Sequence, residues 1–156
     1  GVPLFSGFMY ATVGSYIARA WRLYDLRFSR YPHVAWTALA AAAIYLNFFA
    51  HHYIADMRYA IFLGLVLIYG RTMVHPRFGA ARLRLPLLLV FFLVALALWI
   101  AENIATYSAI WLYPHQVRDG WTPVSLNKLG SWFLLMNVSF VLVALVHRPE
   151  PPEAPA

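Results

Sequence analysis

Cysteine is absent from the sequence, which excludes disulfides, thiolate metal sites and cysteine nucleophiles. Its absence says nothing of the compartment, because both faces of a membrane tolerate it. Charge is scarce too: 12% of the residues are Asp, Glu, Lys or Arg, against roughly a quarter in soluble domains. The Gly-rich phosphate loop, the Gly-x-Ser-x-Gly elbow and the His-Glu-x-x-His helix are all missing. Basic and aromatic residues are not interleaved in dense runs, so the formal charge of +6 and pI near 9.9 do not point to nucleic acid.

What fills the chain instead is apolar. Hydrophobic residues make up 62% of it and aromatic ones 17%, and the mean hydropathy of +0.63 averages polar loops with oilier stretches. The composition predicts an all-α fold, a polytopic transmembrane bundle with about five membrane-spanning helices and interfacial Trp and Tyr. The expected spans are residues 4–21, 34–53, 57–74, 85–106 and 126–146. The third is the shortest on charge grounds, since Arg58 and Arg71 must both snorkel to reach opposite interfaces. Residues 149–156 are rich in Pro with two Glu, and are expected to be a disordered tail after a single domain over 1–148. The opening Gly1-Val2-Pro3-Leu4 lacks the pattern of a signal peptide, so the chain is expected to be a fragment or processed product with helices upstream.

The basic residues are distributed unevenly between the connections. Arg19, Arg22, Arg27 and Arg30 flank the first, Arg71, Arg77, Arg82 and Arg84 the third, and Arg148 follows the last span; only Arg58, Arg118 and Lys128 fall on the other side. The positive-inside rule then places the start of the chain outside and its end in the cytoplasm, as a multi-pass protein of a bacterial inner membrane.

On that topology the polar residues gather at the outer ends of the helices. Ser6 and Tyr10 lie on the first, Asn47, His51 and His52 on the second, Asp56 and Arg58 in the turn, Glu102, Asn103 and Thr106 on the fourth, and Asn127, Lys128, Ser131 and Trp132 on the fifth. The outer loop adds Trp111, Tyr113, His115, Gln116 and Trp121. Polar groups near hydrocarbon face the interior or each other, so the expectation is a shared polar chamber; interfacial caps and interhelical hydrogen bonds would explain the same residues. His52 and Asp56, and Asn47 and His51, have the i, i+4 spacing that suits a metal, a proton-transfer pair or a structural network. No third ligand follows at a recognised spacing, and Glu102 would have to supply it. Glu102 itself, on an apolar helix, suits a general acid through the raised pKa that burial favours, or a salt bridge to Arg58 or Lys128. Gly7, Ala11, Ser15 and Ala18 form a helix-packing stripe.

The strings Gly-Val-Pro-Leu-Phe-Ser-Gly-Phe-Met-Tyr-Ala, Ile-Tyr-Leu-Asn-Phe-Phe-Ala-His-His-Tyr and Trp-Ile-Ala-Glu-Asn-Ile-Ala-Thr, with Trp111-x-Tyr113-Pro114-x-Gln116 and Lys128-x-x-Ser131-Trp132, resemble the bacterial membrane family known as domain of unknown function 817. The resemblance runs from Gly1 to about Val146. It implies a polytopic inner-membrane protein with further helices upstream, and no established activity. The Gly-Val-Pro string and the Trp-x-Tyr-Pro element more distantly resemble small membrane cyclases and hydratases of carotenoid synthesis.

Three functions therefore compete at this stage. One is a membrane protein whose outer polar chamber binds a small or lipid-like ligand through Tyr10, Asn47, Asn103, Tyr113, Gln116, Lys128 and Trp132. A second is an enzyme acting on an isoprenoid or other lipid, with Glu102 as proton donor, His51 or His52 as base or metal ligand, and Asp56 orienting His52. The third is a small-solute transporter, for which no inverted repeat is visible. The lipid bilayer is the one partner common to all three.

Overall fold

The computed structural model describes residues 6–50, 53 and 56–152, with side chains from residue 11 onward. It is mostly helical: α1 (Ser6–Leu23), α2 (Val34–Ala50), α3 (Arg58–Tyr69), α4 (Leu87–Tyr107), the short α5 (Pro114–Asp119) and α6 (Leu126–His147). Each of the five expected hydrophobic segments forms a helix. Two of them, α4 and α6, are both long and apolar enough to cross a membrane.

α6 is the central post, packed against α4, α1 and α2, while α3 lies against α2 and touches α4. The seam is aromatic at one end: Phe140 meets Trp21 at 5.5 Å, Phe28 at 5.7 Å and Phe91 at 5.1 Å between ring centroids. At the other end Gly130 permits close approach, since a Cβ there would lie 3.2 Å from the Phe62 ring tip.

Five short strands depart from the all-α expectation. β1 (Arg27–Ser29), β2 (Met73–His75) and β5 (Leu85–Pro86) pair antiparallel in the order β1-β2-β5, with Phe28 opposite Val74 and Val74 opposite Leu85. β3 (Arg77–Phe78) and β4 (Ala81–Arg82) form a hairpin whose two-residue turn has Gly79 at φ +60°. The third helix was expected to continue through Val74, but it stops at Tyr69. Gly70 closes it with its N–H on the Val66 carbonyl, at a spot where a Cβ would meet that oxygen at 2.4 Å. Val74 then finds strand partners on both sides, which an isolated apolar pattern does not reveal. Likewise α4 begins at Leu87, not Leu85, because Leu85 and Pro86 belong to β5.

The strands tie together the connections after α1 and α3. The chain end after α6 joins them: Phe28 N–H donates to the Glu150 carbonyl at 2.8 Å, and Arg27 forms an ion pair with the Glu150 carboxylate. Glu150 is thus held in place, unlike the disordered tail expected from residue 149; residues 153–156 lie outside the described set. The three arginine-rich flanks consequently share one end of the bundle.

Candidate functional site

Away from the strands, the candidate residues sort into two groups. In the first, Asn47 near the end of α2 donates to Asp56 Oδ1 at 3.2 Å and accepts from Met57 N–H at 3.0 Å. Asp56 also accepts from Arg58 N–H at 3.0 Å and pairs with the Arg58 guanidinium at 3.0 Å. These contacts close the turn and satisfy the Met57 and Arg58 N–H groups at the start of α3, whose N-cap residue, Met57, makes no side-chain cap bond of its own. Asp56 lies outside both helices, and the expected pairing of His52 with Asp56 falls outside the described residues. His51 and His52 are outside the described residues, and Tyr10 is described only as backbone of α1.

The second group centres on Glu102, in the last turns of α4 and 8% exposed. Tyr113 Oη donates to Glu102 Oε1 at 2.5 Å, and Trp132 Nε1 of α6 donates to Oε2 at 2.8 Å. Both oxygens are therefore engaged, by one donor from the loop between α4 and α6 and one from the facing helix. The expected salt bridge does not form: Arg58 is with Asp56, and Lys128 Nζ sits over the Tyr113 ring, 5.2 Å from its centroid. Burial, and then the hydrogen bond and charge of Glu102, hold the Tyr113 hydroxyl above the usual phenol range.

Around this pair the loop between α4 and α6 is laced down residue by residue. Asn103 donates to the Trp99 carbonyl at 2.8 Å and accepts Val124 N–H at 2.9 Å. Thr106 donates back to the Glu102 carbonyl at 3.0 Å and receives Trp121 Nε1 at 3.2 Å. Gln116, 3% exposed, accepts Tyr113 N–H at 3.0 Å and donates to the Thr122 carbonyl at 2.7 Å. Trp99 Nε1 adds a bond to the Val124 carbonyl at 3.1 Å. Sequence reasoning left Trp99 out because an indole on an apolar helix reads as packing; its sole signal is the i, i+4 relation to Asn103.

The structure thus joins Glu102, Tyr113 and Trp132 directly, with Asn103, Gln116 and Lys128 around them. None of the bonds described crosses from this group to Asn47 and Asp56. Among the described residues no three His, Asp or Glu lie close enough to hold a metal. Buried members of the Glu102 group fill their own space with mutual bonds, whereas Lys128, His115 and Trp111 stay exposed around the Tyr113 ring, with Trp111 4.9 Å and His115 5.7 Å from it. A cavity of about 260 Å³ opens at the opposite, arginine-rich end, lined by Trp21, Arg22, Arg27, His147 and Arg148 among others.

Comparison with known proteins bears on this arrangement. A family model described as "Protein of unknown function (DUF817)" matches residues 1–140, which include every candidate site residue. The chain is also 46% identical over 144 residues to the uncharacterized protein YoaT of Bacillus subtilis (strain 168), covering 92% of this chain and 54% of that relative. It spans about half the relative's length. No solved structure matches.

Proposed function

The chain belongs to the DUF817 family, and we propose that it serves there as a multi-pass membrane domain whose outer end binds a small or lipid-like ligand beside the Glu102 network. The observation that carries the membrane reading is the apolar outer surface of the helices, around a core that also shelters polar groups. Large apolar groups face outward along α2, α3, α4 and α6, among them Leu39, Leu46, Leu67, Ile104, Leu142 and Val146, while Thr37, Glu102, Thr106, Asn137 and Ser139 are buried. In water such a surface would drive aggregation. In hydrocarbon it is the expected arrangement, because lipid solvates the apolar face and polar groups must find partners within the bundle.

Length supports crossing as well. At about 1.5 Å per residue, α4 (21 residues) and α6 (22 residues) are about 31 and 33 Å long, against a hydrocarbon core of about 30 Å. α1 and α2, of 18 and 17 residues, reach about 27 and 26 Å. α3, at 12 residues, is about 18 Å long and crosses with help from Arg58 and Arg71 snorkelling and from local thinning of the bilayer. The strand-bound arginine end is the cytoplasmic one and the Glu102 end the outer one.

At the outer end the exposed Lys128, His115 and Trp111 offer a cation and aromatic faces at interfacial depth, a surface suited to an anionic or amphipathic ligand. Glu102, Gln116 and Asn103 hold that surface in shape. With both oxygens of Glu102 occupied, it is a positioning group in this reading and not the proton donor.

The test has two arms. With no native cysteine to remove, single-cysteine variants Arg77→Cys and Arg118→Cys can be probed with a membrane-impermeant maleimide. Residue 118 should label in intact cells and residue 77 only after permeabilisation; the reverse pattern would overturn the sidedness. For the ligand, mass spectrometry of the purified protein should find a lipid or small molecule beyond the bulk lipids that is lost in Lys128→Ala. Bulk lipid alone in both samples would remove the ligand proposal.

A further inference from the structure

The interior of the bundle contains a polar cluster unrelated to the Glu102 network. Asn137, halfway along α6 and 0% exposed, has both its amide nitrogen and its amide oxygen buried without a hydrogen-bond partner. The hydroxyls of Tyr69, the last residue of α3, and of Tyr31, in the turn before α2, are buried and equally unbonded. Thr37, in the first turn of α2 and 2% exposed, donates to the Val34 carbonyl and keeps its acceptor positions.

These groups are gathered, not scattered. The Tyr31 and Tyr69 rings lie 6.3 Å apart, and the Tyr69 hydroxyl faces the side chains of Asn137, Thr37 and Tyr31 as potential hydrogen-bond partners. None of these approaches has the geometry of a full hydrogen bond. The surrounding walls cannot help: Phe91 packs 6.1 Å from Tyr69 and Phe140 6.3 Å from Tyr31, and neither offers a hydrogen bond. Four unsatisfied buried polar atoms at one place would carry a penalty on the scale of the whole net stability of a domain. Native interiors resolve such cases with ordered water, which needs two to four polar partners.

We propose that Tyr31, Thr37, Tyr69 and Asn137 form an internal hydration site, in which bound water bridges α2, α3 and α6. The chemistry selects the ligand. All four groups are neutral and between them offer donors and acceptors, without the carboxylate a metal cation favours or the guanidinium or ammonium an anion favours. The site also explains why α6 carries an amide in the middle of Phe133–Val143, where an aliphatic residue would pack as well.

The wet and dry readings predict opposite signs. If the cluster were dry, Asn137→Leu, of similar volume, would remove two unsatisfied atoms and raise the melting temperature. With water bound, the same change removes its ligands and strands the tyrosine hydroxyls, lowering the melting temperature by about 2–4 °C or more. X-ray radiolytic labelling of the wild-type protein in membrane discs gives a direct readout that needs no variant. Bound water should produce an oxidised Tyr69 despite its 1% exposure, and pre-equilibration in H2(18)O should carry the heavy oxygen into that product. An unlabelled Tyr69, or a higher melting temperature for Asn137→Leu, overturns the proposal.

Discussion

Replacing Tyr113 by Phe isolates one strand of the Glu102 network. The substitution keeps the ring, and with it the contacts to Trp111 and His115, and removes one oxygen. That oxygen donates to Glu102 Oε1 at 2.5 Å in a site where Glu102 is 8% exposed. A hydrogen bond to a charged acceptor contributes about 1.5–3 kcal/mol net, and a carboxylate oxygen left without a donor in a buried place adds desolvation. About 2 kcal/mol is therefore expected, equivalent to a fall of about 4–8 °C in melting temperature for a chain of this size. The loss should be local before it is global. Amide exchange should rise over residues 113–124, whose Tyr113 and Val124 N–H groups are bonded to Gln116 and Asn103. Glu102→Gln should be milder, below about 1 kcal/mol, because a tyrosine hydroxyl can turn and accept from the new amide while Trp132 still donates to its oxygen. Should Tyr113→Phe melt within about 0.5 kcal/mol of wild type with unchanged exchange in that loop, the carboxylate is not what fastens the loop between α4 and α6, and the role given to Glu102 is wrong.

Other outcomes follow from the same contacts. Asn103→Ala should cost about 1–2 kcal/mol and free Val124 N–H, seen as faster exchange at that amide, because one side chain bridges Trp99 and Val124. Gly130→Leu should destabilise by about 1–3 kcal/mol in a chemical melt by driving Phe62 off α6, where even a Cβ would approach to 3.2 Å. Glu150→Ala should cost under about 1 kcal/mol, since its pair with Arg27 is solvent-facing and its carbonyl bond to Phe28 survives. His75, which hydrogen-bonds Ser29 at 2.9 Å, has its pKa pushed down by burial and by Arg84 and Arg82. The folded state then binds that proton more weakly than the unfolded chain, so stability is full above about pH 6.5 and declines as pH falls below it. A melt series from pH 8 to 5 should show the slope, and His75→Gln should flatten it.

The hydrophobic helices were readable from the sequence because a long apolar segment is a local property: its solvent preference is the sum of its own side chains. The grouping of Arg27, Arg77 and Arg148 at one end was readable for the same reason, since alternating helices send alternate connections to the same side. Tertiary structure decided everything that needed two distant segments to meet. The end of α3 at Tyr69 depends on Val74 finding Phe28 and Leu85. The partners of Glu102 come from 11 and 30 residues away, so spacing could nominate Arg58 or Lys128 but not choose Tyr113 and Trp132. Asn137 drew no notice in the sequence, because only the packing of α3 and the turn before α2 against α6 made it one corner of a polar cluster. Burial is set by neighbours, and neighbours across a bundle are fixed by the packing of whole helices, which no local pattern encodes.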